Sequence, residues 1–322
     1  MHEYLDRTGN PQMSLRRDVQ YIVAGATGWL GRATLDRLER SLGTQFTQRV
    51  LAFASANSTM ILKSGTTLPV LPLHAIDNIK PQRPVVLFHY AFRTKDKIAG
   101  MTQEEYQKAN LSIREQVSHA LKSWEVSGLV LPSSGAVPYF LKNPMGTDSL
   151  SLYGRGKAED EDFFTDLSRH QRFRLVMPRI FNLSGPYINK WDLYALSSIL
   201  LACIEKRDIV LHADHPVWRS YYGVEDLVDL MLAMTEDPEG SPEIFDTAGH
   251  EATEVGELAY RCCQITSSKG LKVIRPFVRE EPNSFYVGND AILRSLEERY
   301  HLVPQNLDRQ ILTTAAYMKK RT

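Results

Sequence analysis

The chain has 322 residues, with 38 basic side chains against 38 acidic ones and a formal net charge of zero; 43% of it is hydrophobic and 24% charged. That is the balance of an ordinary globular protein, long enough for about two domains or one large domain with an annex. It lacks the basic excess that nucleic-acid or membrane-surface partners usually require, and no apolar run approaches a membrane span.

Cys203, Cys262 and Cys263 make no disulfide framework and contain no Cys-x-x-Cys spacing, which fits a reducing compartment. Met1 to Arg17 is polar, carries both charge signs and lacks the apolar stretch of a signal peptide. The expectation is a cytoplasmic protein with no nucleic-acid partner and no membrane contact.

Residues 1–18 read as a flexible lead-in, broken at Gly9-Asn10-Pro11. Val19–Ala24 reads as a buried strand that ends in Gly25-Ala26-Thr27-Gly28-Trp29-Leu30-Gly31. A helix follows, with Leu30, Thr34, Leu35 and Leu38 on one face. Further strands are expected at Arg49–Ala54, within Ser64–Leu73 and at Val85–His89. Glu104 to Trp124 has helical periodicity, Gly128–Pro132 is a short strand, Tyr153–His170 a helix and Arg174–Met177 another strand. This alternation predicts an α/β fold, a doubly wound parallel sheet with helices on both faces, over residues 19–182. Residues 183–322 are more broken. Helical segments near Leu193–Lys206, Glu225–Thr235, Val255–Cys263 and Asp290–Tyr300 are separated by short strands and Pro-bearing loops. They are expected to form mainly a smaller C-terminal substrate-binding lobe, with some segments returning to the first domain.

Gly25-x-x-Gly28-x-x-Gly31 sits between a predicted strand and a predicted helix, the context in which such glycines allow a tight turn and close approach of a pyrophosphate. The helix N-terminus supplies N–H groups and partial positive charge for phosphates. A phosphate loop of the ATPase kind would continue Lys-Ser or Lys-Thr; here Arg32-Ala33 follows. The prediction is a dinucleotide, NAD or NADP. After the second strand, Ala54-Ser55-Ala56-Asn57-Ser58 has no acid to engage a ribose 2′-hydroxyl, which tilts the choice slightly to NADP.

Tyr153 and Lys157 stand four residues apart, on one face of a helix. An ammonium near a phenol favours the phenolate, so the pair can exchange a proton with a substrate hydroxyl. Ser134, at a strand end about twenty residues earlier, can hold that hydroxyl. Gly154 and Gly156 each cost about 1 kcal/mol of helix propensity against alanine, which suits a backbone that another group must approach. His212-Ala213-Asp214-His215 is too little for a metal centre, and none is expected.

In order and spacing these segments resemble the extended short-chain dehydrogenase/reductase family, in particular the nucleotide-sugar epimerases, dehydratases and reductases. The resemblance runs from Val19 to Tyr317 and adds Phe88-His89-Tyr90-Ala91, Tyr106-x-x-x-Asn110, Ser133–Val137, Pro178–Pro186 and Arg219–Asp226 to the two motifs above. It implies a Rossmann domain with a catalytic triad of Ser134, Tyr153 and Lys157, supported by Asn110. It implies a cofactor held by Gly25, Thr27, Gly28, Trp29, Leu30, Gly31, Ser55, Tyr90, Ala91, Asn110, Tyr153, Lys157 and Pro178. It also implies a nucleotide-diphosphate sugar held by Ser134, Asn182, Arg219 and, more weakly, Arg275, and a homodimer built on the helices around Glu104–Trp124 and Tyr153.

Relatives that dehydrate carry an Asp-Glu pair where this chain has Gly135-Ala136, which argues against dehydration. The expected activity is epimerisation through a transient keto sugar, with an NADPH-dependent 4-ketoreductase of the same sugar class as rival. A non-catalytic NAD(P) sensor is the alternative of another class; it predicts decay of a triad that is present here in full.

Overall fold

The structure, a computed structural model, describes residues 15–237, 240, 243–268 and 270–321. Most of the expected lead-in, residues 1–14, lies outside them. The chain divides into two compact units, one running through Arg179 and resuming at Val228–Phe245, the other made of Ile180–Leu227 and Asp246 onward.

In the first unit β1 (Gln20–Ala24) leads into α1 (Trp29–Leu42), then α2 (Phe46–Arg49), β2 (Val50–Ala54), β3 (Ser58–Ile61), β4 (Thr67–Pro72) and β5 (Val85–His89). There follow α3 (Gln103–Ser123), β6 (Val126–Val130), β7 (Ser133–Ser134), α4 (Ala136–Lys142), α5 (Ser149–Gln171) and β8 (Arg174–Ile180). The strands lie in the order β3-β4-β2-β1-β5-β6-β8, continued by Glu243–Thr247, with β7 paired to β8. The pairs of β1 with β2 and β5, β2 with β4, β5 with β6 and β6 with β8 are parallel, and β3 runs antiparallel against β4. Chain order reverses between β1 and β5, and the carboxyl ends of strands at such a reversal are where doubly wound folds bind ligands.

Period-two alternation divides the sheet residues between two helical layers. Ile22, Phe53, Leu87, Leu129 and Leu175 join Val117, Ala120 and Leu121 of α3 and Phe164 of α5 in one buried cluster. On the other face α1 packs on β1, and Tyr21 donates to Glu236, at the end of the helix Val224–Glu236, at 2.8 Å. Arg37 of α1 and Asp229 of that helix form an ion pair on the same side.

Helix starts follow local chemistry. Thr102 and Glu105 form a reciprocal capping box on α3, with Thr102 N–H donating to the Glu105 carboxylate at 2.7 Å. Asp148 caps α5, accepting from the Leu150 and Ser151 N–H groups at 3.0 and 3.1 Å. That cap starts α5 four residues before the expected Tyr153 and places the tyrosine in its second turn. Some elements escaped the sequence reading, β3 and α4 among them. β3 is a short edge strand with three exposed residues, and α4 carries Pro138 in its first turn, where its missing N–H costs nothing.

The second unit holds a three-stranded sheet, with Val217–Ser220 between antiparallel Ala252–Glu254 and parallel Ser284–Tyr286. Helices Ala195–Ile204, Val255–Ile265, Ala291–Arg299 and Leu307–Lys319 complete it. The last was not foreseen. Its signal was an Asn306 cap, accepting from Arg309 N–H at 3.0 Å, followed by buried Leu307, Ile311, Thr314, Ala315 and Met318.

Candidate functional site

The glycine turn is built by contact distance. Gly25 has φ +90°, and a Cβ there would stand 2.7 Å from the Tyr90 carbonyl carbon and 2.8 Å from the Ala91 nitrogen. A Cβ on Gly31 would meet the Gly25 carbonyl oxygen and stand 2.7 Å from the Ala26 Cα, so α1 rests directly on the strand end. Tyr90 N–H donates to Ala24 at 2.7 Å, and the Tyr90 hydroxyl shares a 2.8 Å hydrogen bond with Thr34 of α1. Gly28 is the N-cap of α1 and offers no side-chain cap, and no acid lies in the first turn. By helix geometry the N–H groups of Leu30 and Gly31, in the first turn, have no acceptor within the helix. Thr27 is exposed, its carbonyl accepting from Arg32 at 3.2 Å, and Ser55 is exposed just past β2.

On α5, Lys157 is buried, and its ammonium donates to the Pro132 carbonyl at 2.8 Å. Burial lowers its pKa from the usual 10.5 to about 8, opposed by the carboxylates of Asp160 and Glu161 one turn on. Asp160 is buried beside Arg114 of α3 (3.5 Å), and burial raises its pKa to about 6 against the pull of Lys157 and Arg114. Glu161 is tied to Arg179 by two hydrogen bonds of 2.8 and 2.6 Å.

Ser134, also buried, sits on β7 against α5. Its Oγ accepts from Ala136 N–H at 3.1 Å, which leaves the hydroxyl hydrogen to donate elsewhere. The helix glycines carry the close approach expected of them: a Cβ on Gly154 would meet the Ala136 carbonyl, and one on Gly156 would stand 3.3 Å from the Phe92 ring. Phe92, not singled out from the sequence, meets the Tyr153 ring edge-on at 5.7 Å and has Lys157 Nζ 4.0 Å from its centroid. Asn110 braces this loop, its Oδ1 accepting from Arg93 N–H at 2.8 Å. Pro178 is buried in β8. His89 is buried against Phe164, and burial together with the Lys157 charge pushes its pKa down to about 3, so it stays a neutral packed ring.

In the second unit Asn182 donates to the carbonyls of Ser220 (3.0 Å) and Tyr286 (3.2 Å), tying two strands of chain together. Arg219 is half-buried, donates to the Trp218 carbonyl at 2.7 Å and lies 5.8 Å from the Tyr286 ring centroid. Arg275, the weaker phosphate candidate, lies in a dense set of contacts. Its guanidinium donates to both oxygens of Glu254 at 2.9 Å and to the carbonyls of Ala213 and His215. Both edges of its fork are thus engaged within the second unit. Among the described residues no group of three or more His, Cys, Asp or Glu side chains is placed to hold a metal, and no helix is long and apolar enough to cross a membrane.

The model of the NAD dependent epimerase/dehydratase family matches residues 21–248. The chain belongs to this family. It is 26% identical over 258 residues to UDP-glucuronic acid decarboxylase 2 of Arabidopsis thaliana, covering 74% of this chain and 57% of that one. It is 24% identical over 257 residues to UDP-glucose 4-epimerase of Mycoplasma pneumoniae, covering 69% and 73%. The chain spans 57% to 66% of the length of the plant decarboxylases it matches. Among solved structures, UDP-N-acetylglucosamine 4-epimerase from Methanobrevibacter ruminantium superposes with a TM-score of 0.76 at 16% identity, covering 95% of this chain and all of that one. UDP-glucose 4-epimerase from Brucella ovis, solved with NAD, gives 0.72 at 17% identity, covering 94% and 98%.

Family membership brings a nicotinamide cofactor, and the first unit fits one. The glycine turn gives a side-chain-free surface at the mouth of α1, where a pyrophosphate can meet backbone N–H groups and the positive helix end.

Proposed function

We propose that the chain is a nicotinamide-dependent epimerase of a nucleotide-linked sugar. The observation that carries this reading is a phenol and a buried ammonium on successive turns of α5, with the Ser134 hydroxyl on a strand packed against the same helix. Tyr153 takes the proton of a sugar hydroxyl, and Lys157 favours its phenolate by charge. Ser134 donates to the substrate oxygen and orients it. A nicotinamide dinucleotide held at the Gly25–Gly31 turn would supply the hydride acceptor and donor that the sugar carbon needs. Tyr153 re-protonates the oxygen once the sugar has turned, so one residue serves in both directions. Gly135 and Ala136 hold no acid that could expel water, so dehydration is not part of the proposal.

The first unit is then the cofactor domain and the second mainly the substrate lobe. Arg219, for which the second unit shows carbonyl and ring contacts rather than a salt bridge, is the proposed diphosphate contact. For the cofactor we place NADP slightly ahead, because the exposed Ser55 and the residues after it offer hydroxyl and amide groups and no acid.

Two rivals have an observation behind them. The plant relatives favour decarboxylation, in which the same oxidation beside a carboxyl-bearing carbon yields a keto acid that loses carbon dioxide. The missing acid after β2 favours a reductase that uses the residues once and consumes NADPH. The test incubates the protein with UDP-glucose, UDP-N-acetylglucosamine, UDP-glucuronic acid and a 4-keto nucleotide sugar, and separates the products. An epimer of unchanged mass with nicotinamide retained through gel filtration supports the proposal. Carbon dioxide release, or stoichiometric NADPH loss, selects a rival. Tyr153→Phe lowers turnover about 10²- to 10⁴-fold; unchanged turnover would sink all three acid–base readings.

A further inference from the structure

Three sets of contacts meet at Phe92. The backbone that carries it is held on both sides. Tyr90 is bound by its N–H to Ala24 and by its hydroxyl to Thr34. Arg93 is clamped by α3, with its N–H donating to Asn110 at 2.8 Å and its carbonyl accepting from the Tyr106 hydroxyl at 2.7 Å. Asn110 is itself oriented by its donation to the Tyr106 carbonyl at 3.3 Å. The side chain then reaches α5 at three successive points: the Tyr153 ring edge-on at 5.7 Å, the Gly156 backbone, where a Cβ would stand 3.3 Å away, and Lys157 Nζ at 4.0 Å from its centroid. A Cβ at 156 would press on this ring, so glycine there leaves the ring its present place along that turn.

We infer that Phe92 is a positioning residue for the Tyr153–Lys157 pair: its braced ring carries the Lys157 ammonium on its face and packs against the Tyr153 ring in a T-shaped pair. The importance of this for turnover rests on the acid–base reading above; the ring's hold on the lysine does not. An ammonium over an aromatic face is attracted by the ring quadrupole, most strongly where water is excluded. Burial works against the charged form here. The ring, the Pro132 carbonyl and the carboxylates of Asp160 and Glu161 work for it; Arg114 on α3, paired with Asp160, brings a positive charge that works against it, and His89 on β5 is neutral. Leucine at 92 keeps an apolar neighbour but removes the quadrupole. Tyrosine at 92 keeps the face.

The test uses the full chain with 13C-labelled lysine, following the Cε resonance that disappears in Lys157→Met as pH is raised. In the unmodified protein its midpoint is expected near pH 8. Phe92→Leu is expected to lower it by about one pH unit, while Phe92→Tyr leaves it in place. A Phe92→Leu midpoint equal to that of the parent protein overturns the inference. Phe92→Met repeats the measurement if the leucine variant melts early, with the same two outcomes. The two proposals fail separately. A fixed lysine midpoint removes Phe92 without touching the Tyr153→Phe loss. Unchanged turnover in Tyr153→Phe removes the acid–base reading without moving the resonance.

Discussion

At the end of β1, a side chain on Gly31 would run into the Gly25 carbonyl and stand 2.7 Å from the Ala26 Cα, whereas on α5 a side chain on Gly156 would meet only a ring atom of Phe92, at 3.3 Å. Both glycines sit where two parts of the chain come close, but the neighbours differ in stiffness. Backbone bonded into a sheet cannot yield without breaking the ladder; an aromatic side chain can turn by a few tenths of an ångström. Gly154 belongs with the first kind, facing the Ala136 carbonyl and the Phe140 Cβ at 2.8 Å. The regions differ in charge as well. The glycine turn presents backbone dipoles and no acidic side chain in the first helical turn, while the α5 site buries a full ammonium.

The largest effect is expected at the stiffest contact. Gly31→Ala should destabilise the protein by about 3 kcal/mol, the upper part of the overpacking range, and weaken NADH and NADPH binding by more than tenfold; chemical denaturation and fluorescence titration read the two. An alanine that costs under about 1 kcal/mol would show that the turn is softer than the comparison holds.

Lys157→Met should stabilise the unliganded protein by up to about 3 kcal/mol at pH 7. Between the folded midpoint near 8 and the ordinary 10.5, the unfolded chain keeps a proton that the folded chain has released. Stability of the parent protein therefore rises with pH across that window and carries the full cost of the buried ammonium below it. Melting curves of both proteins from pH 7 to 11 should converge; a gap that does not shrink argues that lost packing, not charge, separates them.

Gly154→Ala should cost about 2 kcal/mol, because backbone faces it. Gly156→Ala should change stability by less than about 1 kcal/mol, its helix gain offset by displacement of the Phe92 ring, while lowering the Lys157 midpoint in the same direction as Phe92→Leu. If the two glycines proved equally costly, stiffness of the neighbour would not be what separates them.

Much of this was legible in the sequence. The alternation of apolar strands with amphipathic helices predicted the parallel sheet, and Gly25, Gly28 and Gly31 between strand and helix predicted the dinucleotide turn, because both are local patterns of period and backbone freedom. Tyr153 and Lys157 share a helix, so their spacing alone put them on one face. Edge strand β3 and the Pro-bearing α4 were missed because short, exposed or Pro-containing segments carry little periodic signal. The contacts of single long side chains were decided only by tertiary structure. Arg219 and Arg275 look alike in sequence, yet Glu254 engages Arg275 in a fork while Arg219 finds carbonyls and a ring. Phe92 stands 61 positions before Tyr153, and nothing at that distance along the chain announces a contact. Its place at the lysine depends on β5, α3 and α5 being packed together, a relation that only the folded chain creates.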